Sequence, residues 1–460
     1  MELLDAVASG SPGSIADFVR STYTPANLAR EPLDKRIAVF LDWHARGGFE
    51  LLGIEDFGPQ SVTARARQPY SDEYWKLAVE VQAGAPHLID KLLLGRAELP
   101  LMAAAESDEQ VAQAIVDHAE HLARGELFSG TILVARHGTV LAETSCGLAN
   151  RDFHIPITLE TRFNLASLCK SWTAVAMAQL VEQGLVTFDD PVSGFVDYPD
   201  AESAAKVQIK HLLSHTGGLG NYFTEEFDRT ARKRIRTVDD YLALARDQPL
   251  KFTPGSRWDY SNAGMVLAGK VIERVTRRSY ADYVHEHIIA RAGMANAEFL
   301  ELDRVNPKVA IGYTKHWRDG QLMMTNNLFE NFIGGCPAGG GYGTANDVFL
   351  FADALMNGRL IDPAMVDLLT TAKPELNAPD YGYGFAIHTD RAIVGHSGGM
   401  LGVSTNLDIV LDPPGWVVVI LANDLSMRAL ALKARQLIGV RVPESESSRA
   451  YLPRSGMTAR

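Results

Sequence analysis

The chain has 460 residues, enough to bury substantial cores and to form two or more domains. Hydrophobic residues make up 46% and charged residues 22%, ordinary proportions for a globular protein. The formal net charge of −12 argues against nucleic-acid binding, which needs clustered Lys and Arg, and the longest strand-like apolar stretch, Trp416–Leu421, is too short to span a bilayer.

In chain order, Met1-Glu2-Leu3-Leu4-Asp5 lacks a basic leader and soon runs into Ser9-Gly10-Ser11-Pro12-Gly13, so no secretory signal is read there. Helical patterns over Ile15–Tyr23 and Leu33–Arg46 precede four strand-like stretches, Phe49–Glu55, Ser61–Gln68, Tyr74–Gln82 and His87–Leu94. Alternation of Trp75, Leu77, Val79 and Val81 predicts a half-buried antiparallel strand. Residues 1–104 therefore read as a small α+β accessory domain, cystatin-like or nuclear-transport-factor-like in its order of elements. It carries no catalytic constellation, which favours an accessory or dimerising role.

A linker near Ala103–Asp108 opens a second domain, 105–445, followed by a mobile tail, 446–460. The spacing predicts an amphipathic helix over Glu109–Arg124, then strands Ser129–Arg136 and Thr139–Cys146 joined at His137-Gly138. From Ser167 to about Leu369 the pattern is mostly helical, with long loops bearing Gly and Pro. Strands return at Tyr383–Thr389, Ala392–Val394, Val403–Leu411 and Trp416–Leu421, and a helix over Arg428–Ile438 closes the domain. Strands from both ends with helices between them imply one antiparallel sheet flanked by helices, an all-helical region, and a cleft where the two meet.

The most informative residues lie at the head of the central apolar run. Ser167-Leu168-Cys169-Lys170 places a hydroxyl and an amine three residues apart, on one face of a helix. A serine hydroxyl is a weak nucleophile until a base takes its proton, and a partly desolvated lysine can serve as that base. The plainer alternative is a helix N-cap. A second Ser-x-x-Lys, Ser203-Ala204-Ala205-Lys206, follows Asp200 and Glu202 in a polar stretch and reads as solvated surface. Farther on stand Tyr260-Ser261-Asn262, between the turn Thr253–Ser256 and a helical run from Gly264, and His396-Ser397-Gly398-Gly399, between two strand-like segments.

In this order and spacing the three elements resemble the serine β-lactamase and penicillin-binding-protein superfamily, in particular its branch of class C β-lactamases, DD-peptidases, D-aminopeptidases and esterases. The likeness covers roughly Glu106–Val442. It extends to Asp189-Asp190-Pro191-Val192, to His211-Leu212-Leu213-Ser214-His215-Thr216-Gly217-Gly218-Leu219, and to Ala338–Thr344. The fold it implies is α+β and β-lactamase-like. By resemblance, Ser167 attacks a substrate carbonyl while Lys170 and Tyr260 share the proton work as a coupled pair, either one acting as the base. Asn262 is expected to bond Lys170 or the substrate. His396, Ser397 and Gly398 are expected to bind substrate, and the N–H groups of Ser167 and Gly399 to form the oxyanion hole.

Where many β-lactamases carry Lys in the third element, this chain has His396, which is largely neutral at pH 7. Esters, amides or small D-peptides are thereby favoured over β-lactams. Hydrolysis is the leading expectation. Acyl transfer by the same site and a catalytically weak peptidoglycan or β-lactam sensor are the alternatives. No metal or cofactor is implied, and the expected partner is a small-molecule or peptide substrate, with a homo-oligomer possible.

Other motifs read more plainly. Gly395-His396-Ser397-Gly398-Gly399 also fits the nucleophile elbow of α/β-hydrolases, but no helix follows and His396 is the last histidine, so no base remains downstream. His215-Thr216-Gly217 precedes Tyr260 and reads as a structural turn. His118 and His121 suit a solvated helix face, as do His285 and His287. Gly334-Gly335 and Gly339–Gly343 suit a tight loop beside the cleft, and Asn221–Asp228 and Asp303–Phe332 the loops that wall it. The three cysteines, Cys146, Cys169 and Cys336, are too few and uneven for a disulfide scaffold, and Cys169 reads as a small packing residue. With no visible leader, the expected compartment is the cytoplasm, or the periplasm if a leader was removed.

Overall fold

The computed structural model describes residues 2–71, 73–97, 107–196, 205–245, 248–318, 321–388, 392–424 and 426–439. Ser203 of the second Ser-x-x-Lys, most of the expected linker and the tail 446–460 lie outside the described residues.

The N-terminal part opens with four helices, α1 (Glu2–Ser9), α2 (Pro12–Thr22), α3 (Pro25–Arg30) and α4 (Leu33–Ala45). A meander follows: β1 (Glu50–Phe57), β2 (Ser61–Gln68), β3 (Glu73–Val81) and β4 (Ile89–Arg96), all antiparallel in the order β1-β2-β3-β4. Val7, Ile15, Val19, Tyr23, Phe40, Leu41 and Ile89 form a core of their own. The short helices α1 and α3 escaped the sequence reading because neither runs long enough to display a 3.6-residue period.

Helix α5 (Asp108–Arg124) has Ser107 as its N-cap, with Asp108 and Glu109 in the first turn and His121 and Arg124 in the last, the polarity that suits the helix dipole. It leads into β5 (Gly130–Arg136) and β6 (Thr139–Cys146). The nearly all-buried helix α6 (Cys169–Glu182) forms the middle of the larger core. Then come α7 (Asn262–Thr276), the hairpin β7 (Tyr313–Arg318) with β8 (Gln321–Asn326), and α8 (Ala345–Met356). The last elements are β9 (Ala386–His388), β10 (Ile393–Met400), β11 (Val403–Val410), β12 (Trp416–Ala422) and α9 (Met427–Ile438).

The main sheet is antiparallel, in the order β9-β10-β11-β12-β5-β6, so strands from both ends of this part close on each other. Its centre is covered on both faces. Along β12, Trp416, Val418, Ile420 and Ala422 pack towards α5 and α9, while Val417, Val419 and Leu421 face the core around α6. A strand buried on both sides reads as a continuous apolar run, and that is why Trp416–Leu421 stood out in the sequence. Among the described residues between α6 and β9 the regular elements are mostly helices joined by long loops, as expected, although the hairpin β7–β8 inside the long Asp303–Phe332 segment was not foreseen.

Candidate active site

The chain reaches Ser167 through a tight bend. Phe163–Asn164 pairs with Tyr342–Gly343, and the Asn164 side chain accepts the Ala166 N–H at 2.8 Å. Ala166 sits at a φ of +46°, a left-handed conformation that costs a non-glycine residue on the order of 1 kcal/mol. A short 3₁₀ turn, Ala166–Leu168, then feeds α6. The N-cap of α6 is Leu168, with no side-chain cap, so Ser167 does not serve as the capping residue. Its oxygen points to two other groups.

Lys170 is wholly buried, and its Nζ donates to Ser167 Oγ at 2.9 Å and to the Ala338 carbonyl at 2.5 Å. The Tyr260 hydroxyl lies 2.9 Å from the same Ser167 oxygen, and Lys170 Nζ sits 4.9 Å from the Tyr260 ring centre. Tyr260 is held by the start of α7. Ser261 caps that helix by accepting the Gly264 N–H at 2.9 Å, and its hydroxyl donates to the Gly220 carbonyl at 2.7 Å. Asn262, the first residue of α7, donates to the Asn221 side chain at 3.3 Å; this is where its amide goes, rather than to Lys170.

The third element differs from its sequence reading. His396-Ser397-Gly398-Gly399 does not separate two strands but lies inside one, β10, paired with β11 from Ile393↔Val410 to Met400↔Val403. Its glycines hid the strand, since Gly weakens any strand pattern. Strand β9 pairs with β10 only as far as Gly395. The edge beyond it packs on the turn that carries Ser167: Thr405 of β11 donates to the Leu165 carbonyl at 3.1 Å, and a Cβ at Gly398 would meet Leu165 O and Ala166 Cβ. Ser397 and Gly399 are exposed, whereas His396 and Gly398 are buried, the period-two alternation of a strand. An uninterrupted strand at Ser397 also removes the turn that a nucleophile elbow requires.

His396 is turned inwards. Nε2 lies 2.9 Å from the Tyr381 hydroxyl and Nδ1 2.5 Å from the Ser397 carbonyl, so both ring nitrogens are engaged within the protein. Burial, reinforced by the nearby Lys170 charge, pushes its pKa down to about 3 and leaves the ring neutral. His396 was expected to bind substrate; here its ring nitrogens are engaged inside the protein, and Ser397 and Gly399 are the members of the motif that face outwards.

His215, set aside as part of a turn, lies against the site. Its ring centre is 4.4 Å from that of Tyr260, and burial holds its pKa well below the ordinary range, again with Lys170 adding to the effect. The duplicate His-Thr-Gly motif was the available signal. Tyr381 and the Ala338 carbonyl carried none beyond a Gly-rich context. Cys169 is buried, accepts the Gly341 N–H at 3.3 Å, and is pushed up to about 12 by burial, in keeping with a packing role. The glycine loop 339–343 backs the Ser167 turn through Leu165 N–H to Gly341 O at 2.7 Å. Of the expected walls, Asn221 reaches the site through Asn262, and Phe332 joins an aromatic cluster with Tyr222, Phe223, Phe227 and Tyr241.

A serine in the turn that opens a buried helix, with a buried lysine and a tyrosine on its oxygen, set between an antiparallel sheet and a helical region, points to a serine hydrolase of the β-lactamase and penicillin-binding-protein type. The profile of the Beta-lactamase family matches residues 112–440, and the chain belongs to that family. It is 30% identical over 309 residues to penicillin-binding protein 4* of Bacillus subtilis, covering 64% of this chain and 68% of that protein. It is also 30% identical to esterase EstB of Burkholderia gladioli, over 67% of this chain and 89% of that one. Among solved structures, a penicillin-binding protein from Bacillus halodurans superposes with a TM-score of 0.63 at 31% identity, over 71% of this chain and 99% of the other.

Proposed function

We propose that the protein hydrolyses an ester, amide or small peptide through an acyl-enzyme formed on Ser167. The observation that carries this reading is the convergence of Lys170 Nζ and the Tyr260 hydroxyl on one oxygen, each at 2.9 Å. As Ser167 Oγ bonds to the substrate carbonyl carbon, its proton passes to the Lys170/Tyr260 pair, and the same pair returns it to the departing alcohol or amine. Water then repeats the sequence on the acyl group, and Ser167 recovers its proton. The N–H groups of Ser167 and Gly399 stabilise the oxyanion in both steps, an effect worth about 3 kcal/mol per donor where measured.

Substrate class follows from His396. A neutral, internally bonded imidazole offers no permanent cation to a substrate carboxylate, so carboxylate-bearing β-lactams are poor candidates, while uncharged esters and amides lose nothing. The likeness to a protein named as an esterase supports the same choice.

The test is release of p-nitrophenol from p-nitrophenyl butyrate. Wild type turns over; Ser167→Ala loses about a thousandfold or more in kcat with an unchanged circular dichroism spectrum, and Ser397→Ala loses much less. Activity surviving in Ser167→Ala but not in Ser397→Ala would reverse the assignment. In the same assay, mixed products on adding alcohols or amines would identify a transferase, and a persistent acyl adduct in the intact mass would identify a sensor.

A further inference from the structure

A chain of four hydrogen bonds runs behind the cleft from one wall to the other. The Ser261 backbone N–H donates to His215 Nδ1 at 3.2 Å. His215 Nε2 lies 3.1 Å from the Tyr381 hydroxyl, which lies 2.9 Å from His396 Nε2. His396 Nδ1 ends the chain 2.5 Å from the Ser397 carbonyl. His215, Tyr381 and His396 are all buried, at 1%, 5% and 5% exposure, so none of these bonds competes with solvent.

The two ends fix every hydrogen between them. A backbone N–H can only donate, so His215 Nδ1 is the acceptor and its proton sits on Nε2, directed at Tyr381. A carbonyl can only accept, so His396 carries its proton on Nδ1, and Nε2 must accept. The Tyr381 hydroxyl is left to accept from His215 and donate to His396, which is what one phenol can do. Assignments from opposite ends meet without a surplus or missing hydrogen.

What the chain joins matters for the site. His215 grips both sides of Tyr260: its side chain takes the Ser261 N–H, and its own carbonyl accepts the Asp259 N–H at 3.0 Å. It does so at a φ of +60°, a conformation non-glycine residues seldom adopt and which surrounding structure must enforce. Tyr381 is anchored in turn, its carbonyl accepting the Lys373 N–H at 3.1 Å. At the far end, the Ser397 carbonyl belongs to the peptide just before the one bearing the Gly399 N–H.

We propose that His215, Tyr381 and His396 act as positioning residues, a one-directional chain in two opposite imidazole tautomers that sets Tyr260 and the Ser397–Gly399 edge at their working separation across Ser167. The role rests on the reading of Ser167 as the nucleophile. It also gives His396 a purpose in the third motif that needs no contact with substrate.

The chain is tested first by its tautomers, which do not depend on which residue is the nucleophile. Long-range ¹H–¹⁵N spectra of the ¹⁵N-histidine-labelled protein at pH 7, assigned with His215→Gln and His396→Asn, should show His215 protonated on Nε2 and His396 on Nδ1. A shared tautomer, or a charged ring at either position, overturns the chain. Function is tested by Tyr381→Phe, which keeps the ring and removes the one atom that both histidines use. We expect kcat to fall about tenfold or more with KM changed less than threefold, as for a small misplacement of reacting groups. His396→Asn, whose amide can still reach the Ser397 carbonyl, should retain more activity than His396→Ala. Correct tautomers with unchanged kcat in Tyr381→Phe, or a loss of melting temperature alone, would overturn the positioning role. Turnover retained by Ser167→Ala would instead defeat the nucleophile assignment and leave the tautomer result standing.

Discussion

A methyl group at position 398 would lie 2.5 Å from Thr405 Oγ1, 2.6 Å from the Leu165 carbonyl and 2.9 Å from Ala166 Cβ. Two of these neighbours are backbone or near-backbone atoms of the Ser167 turn, which cannot swing aside as the end of a flexible side chain can. Glycine in the third motif is thus a matter of distance: it lets β10 approach the turn that carries Ser167, as the proposed oxyanion role of Gly399 requires. Gly398→Ala should therefore push the strand away from the turn. Overpacking of this kind costs about 1–3 kcal/mol, which thermal unfolding will read. Ester turnover should fall by more than that loss of stability explains, since the variant remains folded at the assay temperature. Unchanged kcat in a folded Gly398→Ala protein would argue that the strand and turn tolerate separation.

At the scale of elements, legibility tracks how much each segment relies on its own pattern. Ser61–Gln68 and Trp416–Leu421 were readable because alternation or a continuous apolar run survives in the sequence. Ser-x-x-Lys and Tyr-x-Asn were readable because the chemistry needs those residue types at short spacing. Strand β10 was cut short at Val394 by its glycines, and the hairpin Tyr313–Asn326 was lost in a long segment whose polarity resembles a loop. His215 meets Ser261 across 46 positions and Tyr381 across 166, and only tertiary structure brings them together. One more such link holds α9 to the sheet: Arg435 makes a two-pronged bond to Asp408 of β11, at 2.8 and 2.9 Å, with both groups buried. Burial pushes the Asp408 carboxyl up, but Arg435 and its neighbours outweigh that and hold it below the ordinary range. Asp408→Asn leaves a guanidinium buried beside a neutral amide, and should cost about 3–5 kcal/mol in denaturant unfolding. Replacing both residues with apolar ones of similar volume should recover much of that loss. A single-variant cost below about 1 kcal/mol would show that the pair is solvated in solution.

Over the whole molecule, the site's neutrality carries a cost in acid. The buried histidines around the cleft must stay uncharged for their hydrogen bonds to hold, and the unfolded chain has no such constraint. His396 is pushed down to about 3 by burial and by Lys170, His211 to about 4 by burial and by Lys210, and His215 moves in the same direction. An unfolded histidine titrates near 6.5. Between that value and the native one, the unfolded state binds a proton that the folded state refuses, so stability rises with pH across the window and is lost as pH falls. Each such group contributes at most about 1.4 kcal/mol per pH unit. Asp424 opposes them between about 4 and 6, because burial raises its carboxyl to about 6 and makes the folded state the better proton binder there. One carboxyl does not balance three imidazoles, and Asp408, held low, adds to the loss only once pH falls below the ordinary carboxylate range. Urea unfolding at pH 7.5, 6.0 and 5.0 should therefore show stability declining from the first value to the last. His396→Asn, which removes one titrating ring while keeping a donor for Ser397, should make that decline shallower by about 1 kcal/mol per pH unit below pH 6. Parallel declines in the two proteins would mean that His396 takes up its proton in the folded state, and a ring that can be protonated there is neither dry nor locked between Tyr381 and the strand.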